Sequence, residues 1–125
     1  MKKGITFCFL YSITMLAYAQ TCPTVNELLV KAGENYYVVP PSGWKLVVND
    51  KSPSQKNLVF KVAAWGDHKH PSDNVRCHYY QGVSEDHVQI ETLAFIEESR
   101  VPWGGVDHYQ LCVSRSDNVN ECPFG

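Results

Sequence analysis

The rhythm of apolar positions changes several times along the chain, and each change predicts an element. Residues 4–18 form a mostly apolar run behind Lys2-Lys3 and close on Ala17-Tyr18-Ala19, the charged start, apolar middle and small-x-small finish of a secretory signal. The run is shorter than the roughly 20 apolar residues a spanning helix needs and is interrupted by Thr6, Ser12 and Thr14. Cleavage near Ala19-Gln20 is therefore predicted, not anchorage. Next, Thr24-Val25-Asn26-Glu27 has the form of a capping box. Leu28, Leu29 and Ala32 follow and Gly33 offers a stop, which predicts one short helix.

Beyond Gly33 the pattern becomes strand-like. Tyr36-Tyr37-Val38-Val39 ends at the turn chemistry of Pro40-Pro41-Ser42-Gly43, and Trp44, Leu46 and Val48 alternate up to Asn49-Asp50. Leu58, Phe60, Val62 and Ala64 alternate with Val59, Lys61 and Ala63 up to Trp65-Gly66. The stretch 56–66 is also compatible with a second helix, because its period is ambiguous and Ala63-Ala64 favours helix. After a polar loop at 67–74, Val75, Cys77 and Tyr79 face one way and Arg76, His78 and Tyr80 the other. Residues 88–95 and 109–113 read as two more strands, separated by Val101-Pro102-Trp103-Gly104-Gly105. The sum is an α+β fold: a short N-terminal helix packed on an antiparallel β-sheet.

Removing the signal changes both the charge and the cysteine count. It leaves residues 20–125, enough for one small domain. Two of the 11 basic residues leave with it, so 9 remain against 13 acidic ones and the mature net charge is −4. That balance excludes nucleic acid and anionic membrane surfaces as main partners, and no second apolar run implies stable membrane insertion. Cys8 is also lost, leaving Cys22, Cys77, Cys112 and Cys122, an even set that reads as two disulfides in an oxidising compartment. The C-x-x-C pairs of a zinc site are missing. Loop geometry favours Cys112 with Cys122, across a turn-rich stretch, and Cys22 with Cys77; the pairing Cys22–Cys122 with Cys77–Cys112 stays open.

Candidate chemistry is sparse. His68-x-His70 with Asp67, Asp73 and His78 is the best local set for a metal, since imidazoles two apart on extended chain share a side. The ordinary reading of the same residues is a solvated, turn-rich loop closed by Pro71, and it outweighs the metal reading. Histidines at 68, 70, 78, 87 and 108 could together sense acidification. There is no G-x-S-x-G elbow, no H-E-x-x-H and no phosphate-cradling glycine loop, so an enzyme is not expected and no cofactor is implied. Among the aromatic residues, Trp44, Trp65 and Tyr79 are assigned to the core, while Tyr80 and Trp103 are held as surface anchors for a partner.

Cys22-Pro23, Trp44-Lys45, Phe60 with Ala64-Trp65, Cys77-His78-Tyr79-Tyr80 and the closing Cys122-Pro123-Phe124 resemble small exported bacterial proteins grouped as a domain of unknown function, a family that includes the type IV secretion-associated protein EirA. Cys112 and the Cys-Pro-Phe ending match the broader uncharacterised group more than the secretion-associated branch. The resemblance implies a periplasmic or secreted non-enzymatic interaction protein, in one branch linked to a type IV secretion system and intracellular replication. Its partner would be a secretion component or a second copy. The alternative is a small ligand-binding module, for glycan or metal, using an aromatic sheet face or the His68/His70 loop.

Overall fold

A computed structural model describes residues 18–49, 57–67, 73–81, 87–106 and 108–125. The Thr24 hydroxyl accepts the Glu27 N–H at 3.3 Å, and the Glu27 carboxylate accepts the Thr24 N–H at 2.9 Å, closing the predicted capping box. The helix it starts, α1 (Val25–Leu28), is nevertheless a single turn. Leu29–Ala32, read from the sequence as its continuation, is strand β1 and pairs antiparallel with β2 (Asn35–Val38). An isolated helix of two turns is marginal, whereas β-branched Val30 opposite Tyr37 suits a cross-strand pair. Gly33 serves the hairpin, not a helix stop: its φ of +66° is the left-handed value the first position of a type II′ turn demands. Thr24→Ala is expected to lower stability by about 1 kcal/mol. Urea unfolding without such a loss would mean that the hairpin, not the cap, secures this segment.

The main sheet contains β3 (Trp44–Asn49), β4 (Leu58–Gly66), β5 (Val75–Gln81), β6 (His87–Thr92), β7 (Gly104–Val106) and β8 (Tyr109–Val113), in the order β3-β6-β5-β4-β8-β7 with every pair antiparallel. The ambiguous stretch at 58–66 is strand because β5 and β8 flank it on both sides and take up its backbone groups. Its alternation is not strict. A register shift between Phe60 and Val62 places Leu58, Phe60, Ala63 and Trp65 on the inner face and turns Val62 and Ala64 outward. The predicted strand 88–95 ends at Thr92, and β7, read from the sequence as a separator, extends the sheet edge.

Directly paired residues of an antiparallel ladder share a face. The inner face carries Phe60, Trp65, Val75, Tyr79, Val88 and Ile90, and is covered by the N-terminal segment with Cys22 and Leu28 and by the C-terminal residues Val119, Cys122 and Phe124. Both covers are stapled down, by Cys22–Cys77 and Cys112–Cys122, with Cα atoms 6.0 and 5.8 Å apart. The alternative pairing fails on topology. Cys77 and Cys112 both lie opposite Ala63 of β4, one on each flanking strand. Two strand spacings amount to about 9.5 Å, beyond the roughly 7 Å a disulfide spans. Gln20 and Phe124 meet without a covalent link, through paired backbone hydrogen bonds of 2.9 Å. The buried polar atoms of the large aromatics are satisfied: the Trp65 indole donates to the Ile96 carbonyl at 2.6 Å and the Tyr79 hydroxyl to the Pro23 carbonyl at 2.5 Å. Burial, with the Glu27 charge second, pushes the Tyr79 phenol up.

Candidate functional site

The outer face of the six-stranded sheet follows from the register, strand by strand. Leu111, Ala64, Arg76, Glu91 and Lys45 stand in one row across β8, β4, β5, β6 and β3; Val113, Val62, His78 and Gln89 make the next. Val59, Tyr80 and His87 follow. The face is thus divided. Its β7–β8–β4 part is apolar, with Val106, Leu111 and Val113 exposed, while its β5–β6–β3 part is polar and charged.

In the polar part, Lys45 and Glu91 form an ion pair at 3.4 Å, and the Arg76 guanidinium donates to the Gly66 carbonyl. Tyr80 lies 5.4 Å from His87 between ring centroids, and His87 stacks 6.3 Å from His78. Burial of the His78 ring, then the positive charges of Arg76 and His87, lowers its pKa to about 4. It stays neutral at pH 7. Tyr80, held from the sequence as a surface anchor, is therefore half-buried within a ring cluster on this face.

Trp103 is placed differently from its predicted role. It packs against the core, donating its indole N–H to the Pro123 carbonyl at 2.9 Å and meeting Phe124 edge to face at 5.9 Å. Trp44 is half-buried and meets the same Phe124 ring at 6.3 Å, and Trp65 and Tyr79 are fully enclosed. The three tryptophans and Tyr79 thus turn most of their ring surface inward.

Of the metal candidates, His68 and His70 lie outside the described residues. Asp67 follows β4 and is half-buried. Asp73 accepts from His108 at 2.8 Å, and His108 in turn lies over Trp65 with 4.6 Å between ring centroids. This corner was missed in the sequence because its members are far apart along the chain. Gly66 makes it possible: with φ +75°, it lets the His108 backbone come within 2.1 Å of where a Cβ would sit. His78, five residues beyond Asp73 along an extended strand, is about 16 Å away. Among the described residues, no group of three or more His, Cys, Asp or Glu side chains converges as a metal site.

An open groove of about 400 Å³ lies between α1 and the 116–119 loop, lined by Thr24, Val25, Phe60, Asp117 and Asn118 among others. Its rim is braced by Lys61–Asp117 at 2.7 Å. Behind it the Glu121 carboxylate takes hydrogen bonds from the Ser116 N–H and the Ser114 and Ser116 hydroxyls, which hold its pKa down at about 2.

Taken together, the fold and these surfaces define a small disulfide-stapled α+β domain with one sheet face covered by the segments around Cys22 and Cys122 and with apolar side chains exposed on the other. No protein-family profile, characterised protein or solved structure matches the chain. None of its described helices is long and apolar enough to cross a membrane.

Proposed function

We propose that the chain works outside the cytoplasm, after removal of residues 1–19, as a non-enzymatic protein-binding domain, in one branch joined to a type IV secretion apparatus and intracellular replication. Two disulfides suit an oxidising compartment and support this address. The observation that carries the binding role is the row of exposed apolar side chains on the β7–β8 edge of the outer sheet face. Val106, Leu111 and Val113 are 66%, 40% and 61% exposed on neighbouring strands, beside the half-buried Val62. Contiguous apolar patches on a small folded domain mark interaction sites. A glycan- or metal-binding role gains less from the structure, since Trp65 and Tyr79 are enclosed and Trp44 and Trp103 pack on Phe124.

A photo-crosslinking residue at position 113, in cells that make the protein, tests this reading. A discrete protein adduct is expected from position 113 and none from position 31 at the hairpin. Leu111→Lys should weaken that adduct about tenfold. Adducts of equal strength from both positions would sink the docking face. Recovery of the uncleaved chain from the cytoplasm would sink the address. Deletion of the gene with no change in delivery of type IV substrates would remove the secretion link alone.

A further inference from the structure

A separate apolar feature sits where β6 stops. The chain leaves the sheet after Thr92, and Leu93 and Phe95 are 61% and 78% exposed, Phe95 more than any other large apolar side chain among the described residues. Exposure here does not come from a slack loop. The Leu93 N–H donates to the Gly43 carbonyl at 2.9 Å and the Ile96 N–H to the Asp73 carbonyl at 2.6 Å. The Trp65 indole holds the Ile96 carbonyl, and the buried Asn74 amide holds the Thr92 carbonyl at 2.7 Å. The Thr92 hydroxyl, also buried, accepts from the Val75 N–H at 3.1 Å and donates to the Ala94 carbonyl at 2.9 Å. A buried polar frame thus fixes the backbone of a segment whose two large side chains stand in water. Ordering them in advance removes the entropy that a partner would otherwise have to overcome.

The charge of the described residues next along the chain selects the occupant. Exposed Glu97 and Glu98 follow the segment after the buried Ile96, while the nearest Lys or Arg along the chain, Arg100, reaches the Gly125 carbonyl at 3.4 Å. A symmetric contact with a second copy would gather Glu97 and Glu98 of both copies into one small interface, in a mature chain of net charge −4. An anionic bilayer is repelled for the same reason. We propose that the 93–95 segment is a preformed anchor that inserts into an apolar cleft of a protein partner, the cleft being rimmed by lysine or arginine that pair with Glu97 and Glu98. The proposal rests on the protein-binding reading and adds to it a second contact and the chemistry of the partner.

The test uses the oxidised mature chain and a library of random peptides displayed on phage, selected on the wild type and counter-selected on Phe95→Ser. Because Phe95 is mostly exposed, its variant should keep the wild-type unfolding midpoint, which is checked first. Enriched peptides are expected to combine apolar residues with Lys or Arg. Their binding should fall about 30-fold in Phe95→Ser and severalfold in the double variant Glu97→Lys, Glu98→Lys. Four results would overturn the proposal: no Phe95-dependent peptide, peptides indifferent to the charge reversal, Phe95-dependent binding to vesicles of equal parts phosphatidylcholine and phosphatidylglycerol, or dimerisation abolished by Phe95→Ser. Adducts at position 113 that persist beside any of these would leave the protein-binding reading standing.

Discussion

Replacing Cys22 and Cys77 together by alanine is expected to destabilise the disulfide-stapled domain by about 4 kcal/mol, against about 3 for the Cys112 and Cys122 pair. The difference comes from the unfolded chain. The first bridge joins residues 55 apart and the second only 10 apart, so the first removes more freedom from the unfolded ensemble. The folded state reinforces the ranking, since both Cys22 and Cys77 are fully buried and tie the α1 segment to a central strand, whereas Cys112 is half-buried. For a domain of this size a loss of 4 kcal/mol is a large share of a total of roughly 5–15. Urea unfolding of the two double variants checks it, with midpoint and slope both recorded, because a changed slope would report a changed unfolded state. An equal or larger loss from the Cys112 and Cys122 pair would overturn the ranking.

The sequence carried the disulfide pairing further than it carried the elements around it. Cysteine spacing made the local pair easy, and the capping box marked the helix start correctly, but both are local signals. The length of α1 was not local. Leu29 to Ala32 became strand only because Tyr36 to Val38 were available to pair with them, and Gly33 reads the same way as a helix stop or a hairpin turn. β7 was hidden for a related reason. Gly104-Gly105 has the composition of a turn, yet a Cβ on Gly105 would lie 1.9 Å from the Tyr109 carbonyl oxygen, so the hairpin needs glycine inside a strand.

The candidate surfaces were less legible still. A single register shift in β4 decides which of its residues face out, and no local pattern announces it. That shift takes Trp65 inward and puts Val62 beside Val113, so the core and the proposed docking face share one cause. Trp103 shows the opposite limit. A tryptophan flanked by proline and glycines looks like a surface anchor, but the last residues of the chain return to cover it with Phe124 and Pro123.

Acid should weaken this fold through His78 well before the bulk of its carboxylates are protonated. Burial beneath its neighbours, with the charges of Arg76 and His87 adding to it, lowers the folded pKa to about 4 from an ordinary 6.5. Below pH 6.5 the unfolded chain therefore takes up a proton that the folded chain refuses, so the stability this neutral ring contributes is present above pH 6.5 and is lost as pH falls towards 4. Over the whole window the linkage amounts to about 3 kcal/mol before solvent screening of the partly exposed ring, and about 2 kcal/mol of it falls between about pH 7.5 and about pH 5. Among the described residues, the groups beside the ring on this face are Arg76 and Tyr80 on β5, His87, Gln89 and Glu91 on β6, and Val62 on β4; Glu91 stands diagonally and is paired with Lys45, and the direct cross-strand pairs, Val62 and Gln89, carry no carboxylate. His78→Gln removes the titrating group while keeping a polar side chain of similar reach. Urea unfolding of wild type and His78→Gln at the two pH values should show the wild type losing about 1 kcal/mol more than the variant, the linkage reduced by solvent screening of the ring. Parallel losses in the two proteins would mean that the ring is hydrated enough to accept its proton in the folded state.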